Sequence, residues 1–352
     1  MRDSWVGRAI DVPRAFGAPL GSGRLRAEPE DFVVDEDLGF TPSGTGAHVL
    51  LRVRKRGANT EWVAREIARA AGCRPPDVGF AGMKDRHAVT TQWFSVPSPR
   101  GATYVGDMIA ALTPLKGEGF EVLEAHPHAK KLPRGALAGN RFAIRVRDVS
   151  AADADIAERV DAIARDGLPN FFGPQRFGRE GANLRKISPD LSGVQPRERT
   201  YVLSAARSLI FNSVLTERVG DGSWCRLEVG DVANLDGKGS VFVVDAVDDL
   251  MVDRAAALDV HPTGPMWGKG ELLSAGRVRE LEQRIGSELE EPCALVIAAG
   301  MNQERRALRL SVRELGWERS GADVLVRFWL TKGSFATTVL RELFETGEGG
   351  EE

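Results

Sequence analysis

The densest cluster of reactive side chains is Gly79-Phe80-Ala81-Gly82-Met83-Lys84-Asp85-Arg86-His87-Ala88-Val89-Thr90-Thr91-Gln92. A short apolar stretch ends at Phe80, Gly82 permits a sharp turn, and an acid emerges between two cations. Neighbouring positive charge favours the ionised form of a carboxylate. A positioned, ionised carboxylate can attack an electrophilic carbon and form a covalent intermediate. In extended chain Lys84 and Arg86 point away from the face that Asp85 uses. They are therefore expected to meet phosphates, leaving another base to pair Asp85. The competing reading is a plain surface turn, since Lys–Asp–Arg clusters are common on protein surfaces. The triplet alone does not decide between them.

The elements that must position this loop are legible around it. Val78 to Phe80 reads as a short strand, and Gln92 to Val96 resumes extended structure after the loop. Phe32 to Val34 and His48 to Val53 read as strands separated by a Gly/Pro-rich turn from Gly39 to Gly46. Asn59 or Thr60 can cap a helix running to about Ala71, with Trp62, Ile67 and Ala70 toward one face and Gly72 closing it. Arg141 to Val149 alternates, with Phe142, Ile144 and Val146 on one face and arginines on the other, a pattern that would suit an RNA platform. Ser150 is expected to cap a helix ending at Gly167. Further helices are expected over Tyr201 to Val219 and Val278 to Leu289, with a short strand at Val241 to Val244. A strand at Val324 to Leu330 and a helix ending near Phe344 follow. The Gly/Pro-punctuated run Leu168 to Gly178 marks entry into an insertion, roughly residues 169–315, within a discontinuous α+β domain formed by residues 1–168 and 316–352.

The chain has 352 residues, 42% hydrophobic and 28% charged, enough to bury a substantial core. Three separated cysteines, Cys73, Cys225 and Cys293, offer no disulfide framework and no zinc spacing. The sequence opens on mixed polar residues rather than the apolar core of a signal peptide, and no run of about eighteen apolar residues occurs. A cytoplasmic location is expected, with no membrane and no metal. The formal charge is −3, but four of the glutamates lie in the last eight residues, so the remainder is marginally basic. That acidic tail is expected to be disordered. From Ala125 to Arg147 six Lys/Arg occur with no acid, joined by His126 and His128, and such a stripe can bind phosphate whatever the total charge.

Five ordered segments carry a resemblance. Phe80-Ala81-Gly82-Met83-Lys84-Asp85-Arg86-His87-Ala88-Val89-Thr90-Thr91-Gln92-Trp93 resembles the signature of the TruD family of tRNA pseudouridine synthases. Pro29-Glu30-Asp31-Phe32-Val33-Val34 resembles its N-terminal motif, and Gly135-Ala136-Leu137-Ala138-Gly139-Asn140-Arg141-Phe142 its G-N-x-F strand. Pro169 to Gly178 resembles the entrance to its inserted domain, and Lys332 to Leu343 its C-terminal motif. The stretch from about 220 to 310 carries no recognisable motif.

The resemblance implies the α+β pseudouridine-synthase catalytic fold, a mixed, mainly antiparallel sheet interrupted by an inserted α/β TRUD domain. It puts the catalytic aspartate on Asp85, as nucleophile or as the base that starts glycosidic cleavage. Uracil would leave through N1, rotate and rejoin the ribose through C5. Nothing is gained or lost, so no cofactor is expected. The partner is tRNA, with no obligate protein partner evident and uridine 13 the implied target, flipped from its stack to be reached. Phe32, Phe142 and Phe335 are expected to line the pocket, Asn140 to pair with the base edge, and Arg26 to pair with Asp85. Arg176, Arg179, Arg185 and Lys186 are candidate phosphate contacts. Two other classes compete. A base-excising hydrolase would need a second carboxylate, for which Glu30 is the motif-linked candidate. A catalytically silent tRNA-binding protein or chaperone would use the basic stripe alone.

Overall fold

The computed structural model describes residues 2–98, 102–188, 191 and 193–348. It divides into two compact units, one of residues 20–156, 313–333 and 344–352, the other of residues 1–19, 157–312 and 334–343. That division gives residues 1–19 and 334–343 to the unit holding most of the expected insertion.

The first unit is built on a nine-stranded sheet. Its order runs Arg313–Ser320, Asp323–Thr331, Gly139–Val146, Phe32–Asp37, Val89–Pro97, His48–Arg56, Phe120–His128 and Lys116–Gly117, with Gly79–Phe80 also paired to Val89–Pro97. Pairing is antiparallel except between Phe32–Asp37 and Val89–Pro97, so the sheet is mixed and mainly antiparallel. Cross-strand partners share a face. The registers Val34↔Phe142, Phe142↔Phe328, Val34↔Thr90 and Thr90↔Lys55 therefore thread one face across the sheet. Most of that face is apolar and buried. Toward one end it turns polar, with Lys55, Thr90, Gln92 and Glu36 all buried.

The helix Thr60–Ala71 covers part of this face. Asn59 caps it, its side chain accepting the N–H groups of Glu61 (2.8 Å) and Trp62 (3.4 Å), and Gly72 ends it in the left-handed conformation at φ 66°. Its buried stripe is Val63, Ala64, Ile67 and Ala68. Trp62 lies at the border and Ala70 is exposed, so the face expected from Trp62, Ile67 and Ala70 is rotated. The strand Gly139–Val146 can approach its neighbour closely because Gly139 has no side chain. A Cβ there would stand 2.2 Å from the Leu330 carbonyl and 2.4 Å from the Trp329 ring.

Three further expectations change. Ser150 does not begin a helix: its hydroxyl accepts the Ser22 N–H at 3.2 Å, and the helix starts at Asp153. The tail is not disordered throughout, since Glu345–Glu348 pairs in parallel with Ser22–Leu25; residues 349–352 lie outside the described residues. The arginine face of Gly139–Val146 lies opposite the polar cluster and is consumed by ion pairs. Arg141 meets Asp37 and Glu314, Arg145 lies near Asp31 and Asp323, and Arg147 pairs with Asp31 and Glu28. The arginines of that face stand beside acids rather than unpaired.

The second unit is organised around the helix Pro196–Gly220, buried nearly all round from Ala205 to Leu215. Against it pack Arg2–Ile10, Gly276–Glu288, Glu290–Ala298 and the strand Val260–Met266. That strand belongs to a four-stranded antiparallel sheet with Val241–Val243, Val232–Leu235 and Glu304–Ala307. Two ion pairs are buried here, Arg218–Asp231 at 2.9 Å and Arg305–Glu282 at 2.8 Å.

Candidate active site

The Asp85 loop is held by side chains that rise from the polar end of the sheet. Thr60, the first residue of the capped helix, accepts the Lys84 N–H at 3.1 Å and donates to Gln92 Oε1 at 3.0 Å. Gln92 in turn donates to the Gly82 carbonyl at 3.2 Å. Lys84 Nζ pairs with Glu36, whose other oxygen accepts the Trp93 N–H at 3.1 Å. Glu36 is fully buried, so Lys84 anchors the loop and is not open to phosphate. This corrects the expected role of Lys84.

Lys55 carries the most weight. It is 1% exposed, on the inward parity of its strand. Its ammonium donates to the carbonyls of Ala58 (2.9 Å), Asp85 (3.0 Å) and Lys84 (3.3 Å), using all three N–H groups on backbone. Burial pulls its pKa down to about 8, partly offset by the Asp85 charge.

At the tip, Asp85 is half-exposed. Oδ2 stands 2.9 Å from Arg26 Nη2, and Oδ1 accepts the His87 N–H at 3.0 Å. Arg26 adopts a left-handed backbone, φ 57°, which costs a non-glycine residue about 1 kcal/mol and tends to mark functional positions. Its guanidinium lies 4.8 Å from the Phe32 ring centroid. Phe32 meets Phe142 edge-on at 6.3 Å, and Phe142 stacks on Phe328 at 5.2 Å. Asp85, Arg26, Phe32 and Phe142 thus form one continuous series of contacts. Asn140 stands in register with Glu36 on the same face, and its Oδ1 is buried without a hydrogen-bond partner among the described residues.

The remaining candidates have their own local surroundings. Phe335 belongs to the second unit, half-buried where its carbonyl accepts the Thr338 N–H at 3.1 Å. Arg86 is exposed, its Nε on the Gly57 carbonyl at 3.1 Å, beside a cavity of about 390 Å³ lined also by Arg56, Asn59 and Trp62. Glu30 is exposed and ion-paired with Arg56, which holds its carboxyl below the usual range. It is poorly suited to protonate a leaving group. Arg185 pairs with Asp3 and Lys186 with Glu198, which removes two of the four proposed phosphate contacts as open charges.

Lys55, Glu36, Thr60 and Gln92 were not among the expected site residues. The signal was present in parity: Val49, Leu51 and Val53 place Lys55 on the buried face of its strand, and Phe32 and Val34 do the same for Glu36. A charge on an inward position is costly unless partnered, so it marks a polar network.

Comparison with known proteins yields a family model described as tRNA pseudouridine synthase D, matched over residues 16–192 and 185–343. The chain is 44% identical over 342 residues to the tRNA pseudouridine synthase D of Methylococcus capsulatus, covering 95% of this chain and 94% of that one. It is 40% identical over 335 residues to the Aeromonas hydrophila protein of the same name, covering 94% and 93%. Its fold is similar to a crystal structure from Methanosarcina mazei titled as a TruD protein, with TM-score 0.68, 21% identity and 97% coverage of each chain.

Proposed function

The chain belongs to the tRNA pseudouridine synthase D family, and from that premise we propose that Asp85 is the nucleophile of the reaction. The enzyme is an isomerase acting on a uridine of tRNA. In the proposed route the Asp85 carboxylate initiates cleavage of the bond between uracil N1 and the ribose. The freed base turns in the pocket and C5 bonds to the same ribose carbon. The hydrogen lost from C5 is balanced by one gained at N1, so no co-reactant enters.

The observation that carries this reading is the Asp85 carboxylate held between Arg26 and the His87 N–H on a loop tied down by Lys55. Phe32 and Phe142 are proposed to supply aromatic surface for the flipped base, replacing stacking worth about 1–3 kcal/mol. Asn140 is proposed to pair with the uracil edge, its unmatched acceptor being complementary to the imide N–H. Phe335 is proposed as a substrate-binding residue on its motif position alone. We further assign residues 169–315 as the inserted TRUD domain, uridine 13 as the target and the cytoplasm as the location; no described helix is long and apolar enough to cross a membrane.

The test is the variant Asp85→Asn, followed by pseudouridine mapping in bulk tRNA and by tRNA binding. Pseudouridine formation should fall on the order of a thousandfold or more, with binding retained. Retained activity would remove Asp85 from the mechanism, and release of free uracil by the wild type would favour a hydrolase.

A further inference from the structure

Phe172, in the motif that opens the expected insertion, carries two guanidinium groups. Arg306 lies 4.2 Å from its ring centroid and Arg176 4.8 Å. Arg306 also stands 5.6 Å from the Phe211 ring. Arg176 Nη1 donates to Ser204 Oγ at 2.9 Å, and Arg306 Nη2 to Asn170 Oδ1 at 2.6 Å. Among the described residues neither arginine has an ion pair, and the Nε of each is buried without a partner. Nearby arginines of the same unit are treated otherwise: Arg305 pairs with Glu282, Arg207 with Glu304 and Arg218 with Asp231.

Two like charges gathered at one ring, desolvated and unneutralised, are costly in the absence of an anion. Burial and then the Arg176 charge pull Arg306 down to about 10, and burial pulls Arg176 down as well. Guanidinium groups lodged over a ring face present N–H donors in a fork that matches the oxygens of a phosphate. We propose that Arg176 and Arg306, spaced by Phe172, form an oxyanion site for one phosphodiester of the bound tRNA. Arg306 comes from the stretch that carried no recognisable motif, and this gives that stretch a role. The proposal rests on the assignment of tRNA as substrate and deepens it.

The test measures tRNA affinity of the full chain between 50 and 200 mM salt for Arg176→Gln, Arg306→Gln and the double variant. Arg284→Gln is the control; it removes the same charge from an exposed residue already paired with Glu217 and Glu288. Each site variant should weaken binding roughly tenfold at the lower salt and flatten the log–log salt slope by about one, and the control should do neither. Thermal melting is followed in parallel. A variant that melts earlier yet keeps the wild-type slope would make the pair a structural stack and overturn the proposal. Stabilisation of wild type, but not of the variants, by inorganic phosphate with the tRNA slope unchanged would assign the site to free phosphate and also overturn it. Wild-type protein that binds tRNA with these differences but forms no pseudouridine would instead overturn the catalytic reading and leave the phosphate site standing.

Discussion

Lys55 binds no substrate in the proposed mechanism, yet three backbone carbonyls of the Asp85 neighbourhood depend on its ammonium. A neutral amine has two N–H donors and would release one of them. With a pKa of about 8 in the fold and an ordinary value of 10.5, activity should decline as pH rises through about 8. Stability from this group moves the opposite way. The folded form gives up the proton more readily than the unfolded chain, so between about 8 and 10.5 rising pH favours folding. Rate and stability should therefore diverge over that window. Lys55→Met should lower kcat by about tenfold or more through misplacement of the loop and abolish the limb near pH 8. A pH–rate profile superposable on wild type would exclude this role for Lys55. Glu30 gives the converse case. Its exposed pair with Arg56 belongs to a class that contributes little, and Glu30→Gln should leave the rate within about twofold of wild type. A collapse of activity would revive a second catalytic carboxylate. Asp85 and its aromatic neighbours were legible because their motifs are local in sequence. Lys55 and Glu36 were not, since their meaning depends on which loop is folded over the sheet.

Among the elements, the helix Thr60–Ala71 joins stability to the site, because its cap fixes where Thr60 meets the Lys84 N–H. Asn59→Ala should cost about 1 kcal/mol, read as a lower urea midpoint with unchanged slope; no shift would mean water replaces the cap freely. Gly139→Ala should be harsher, since the new methyl must displace the Leu330 carbonyl or the Trp329 ring. A loss of about 1–3 kcal/mol is expected, and wild-type stability would show that the strand pair yields easily. Strand and helix positions with clear period were readable from sequence: the cap at Asn59, the stop at Gly72 and the strand at 324–330 all appear. The helix at Ser150 was misread because a serine hydroxyl can serve a distant strand as well as a cap. The strand Glu345–Glu348 was missed because its composition says coil while its partner, Ser22–Leu25, lies at the other end of the chain.

For the whole molecule, 47 basic residues face 50 acidic ones, so attraction to a polyanion must come from local arrangement. Many arginines are spent on ion pairs, including the stripe on Gly139–Val146. Among the described residues, cations without an acid partner are fewer and include Arg86, Arg134, Arg176 and Arg306; Arg134 lies over the Phe80 ring at 3.8 Å. Binding of tRNA should still fall linearly on a log–log salt plot, with a slope of about −3 or steeper. A slope near zero, measured by titration at several salt concentrations, would mean that shape rather than phosphate contact dominates recognition.

The burial of Lys55 has a consequence for chemical labelling. Lys116 is 73% exposed and should acylate at once, whereas Lys55 is sealed beneath the loop. Once uncovered, Lys55 loses its shield, and an amine reacts only while both accessible and unprotonated. Acylation of Lys55 therefore counts the moments at which the Asp85 loop lifts. A bound tRNA that stills the loop should slow that one modification while Lys116 continues at its own pace, turning a single lysine into a clock for opening of the site.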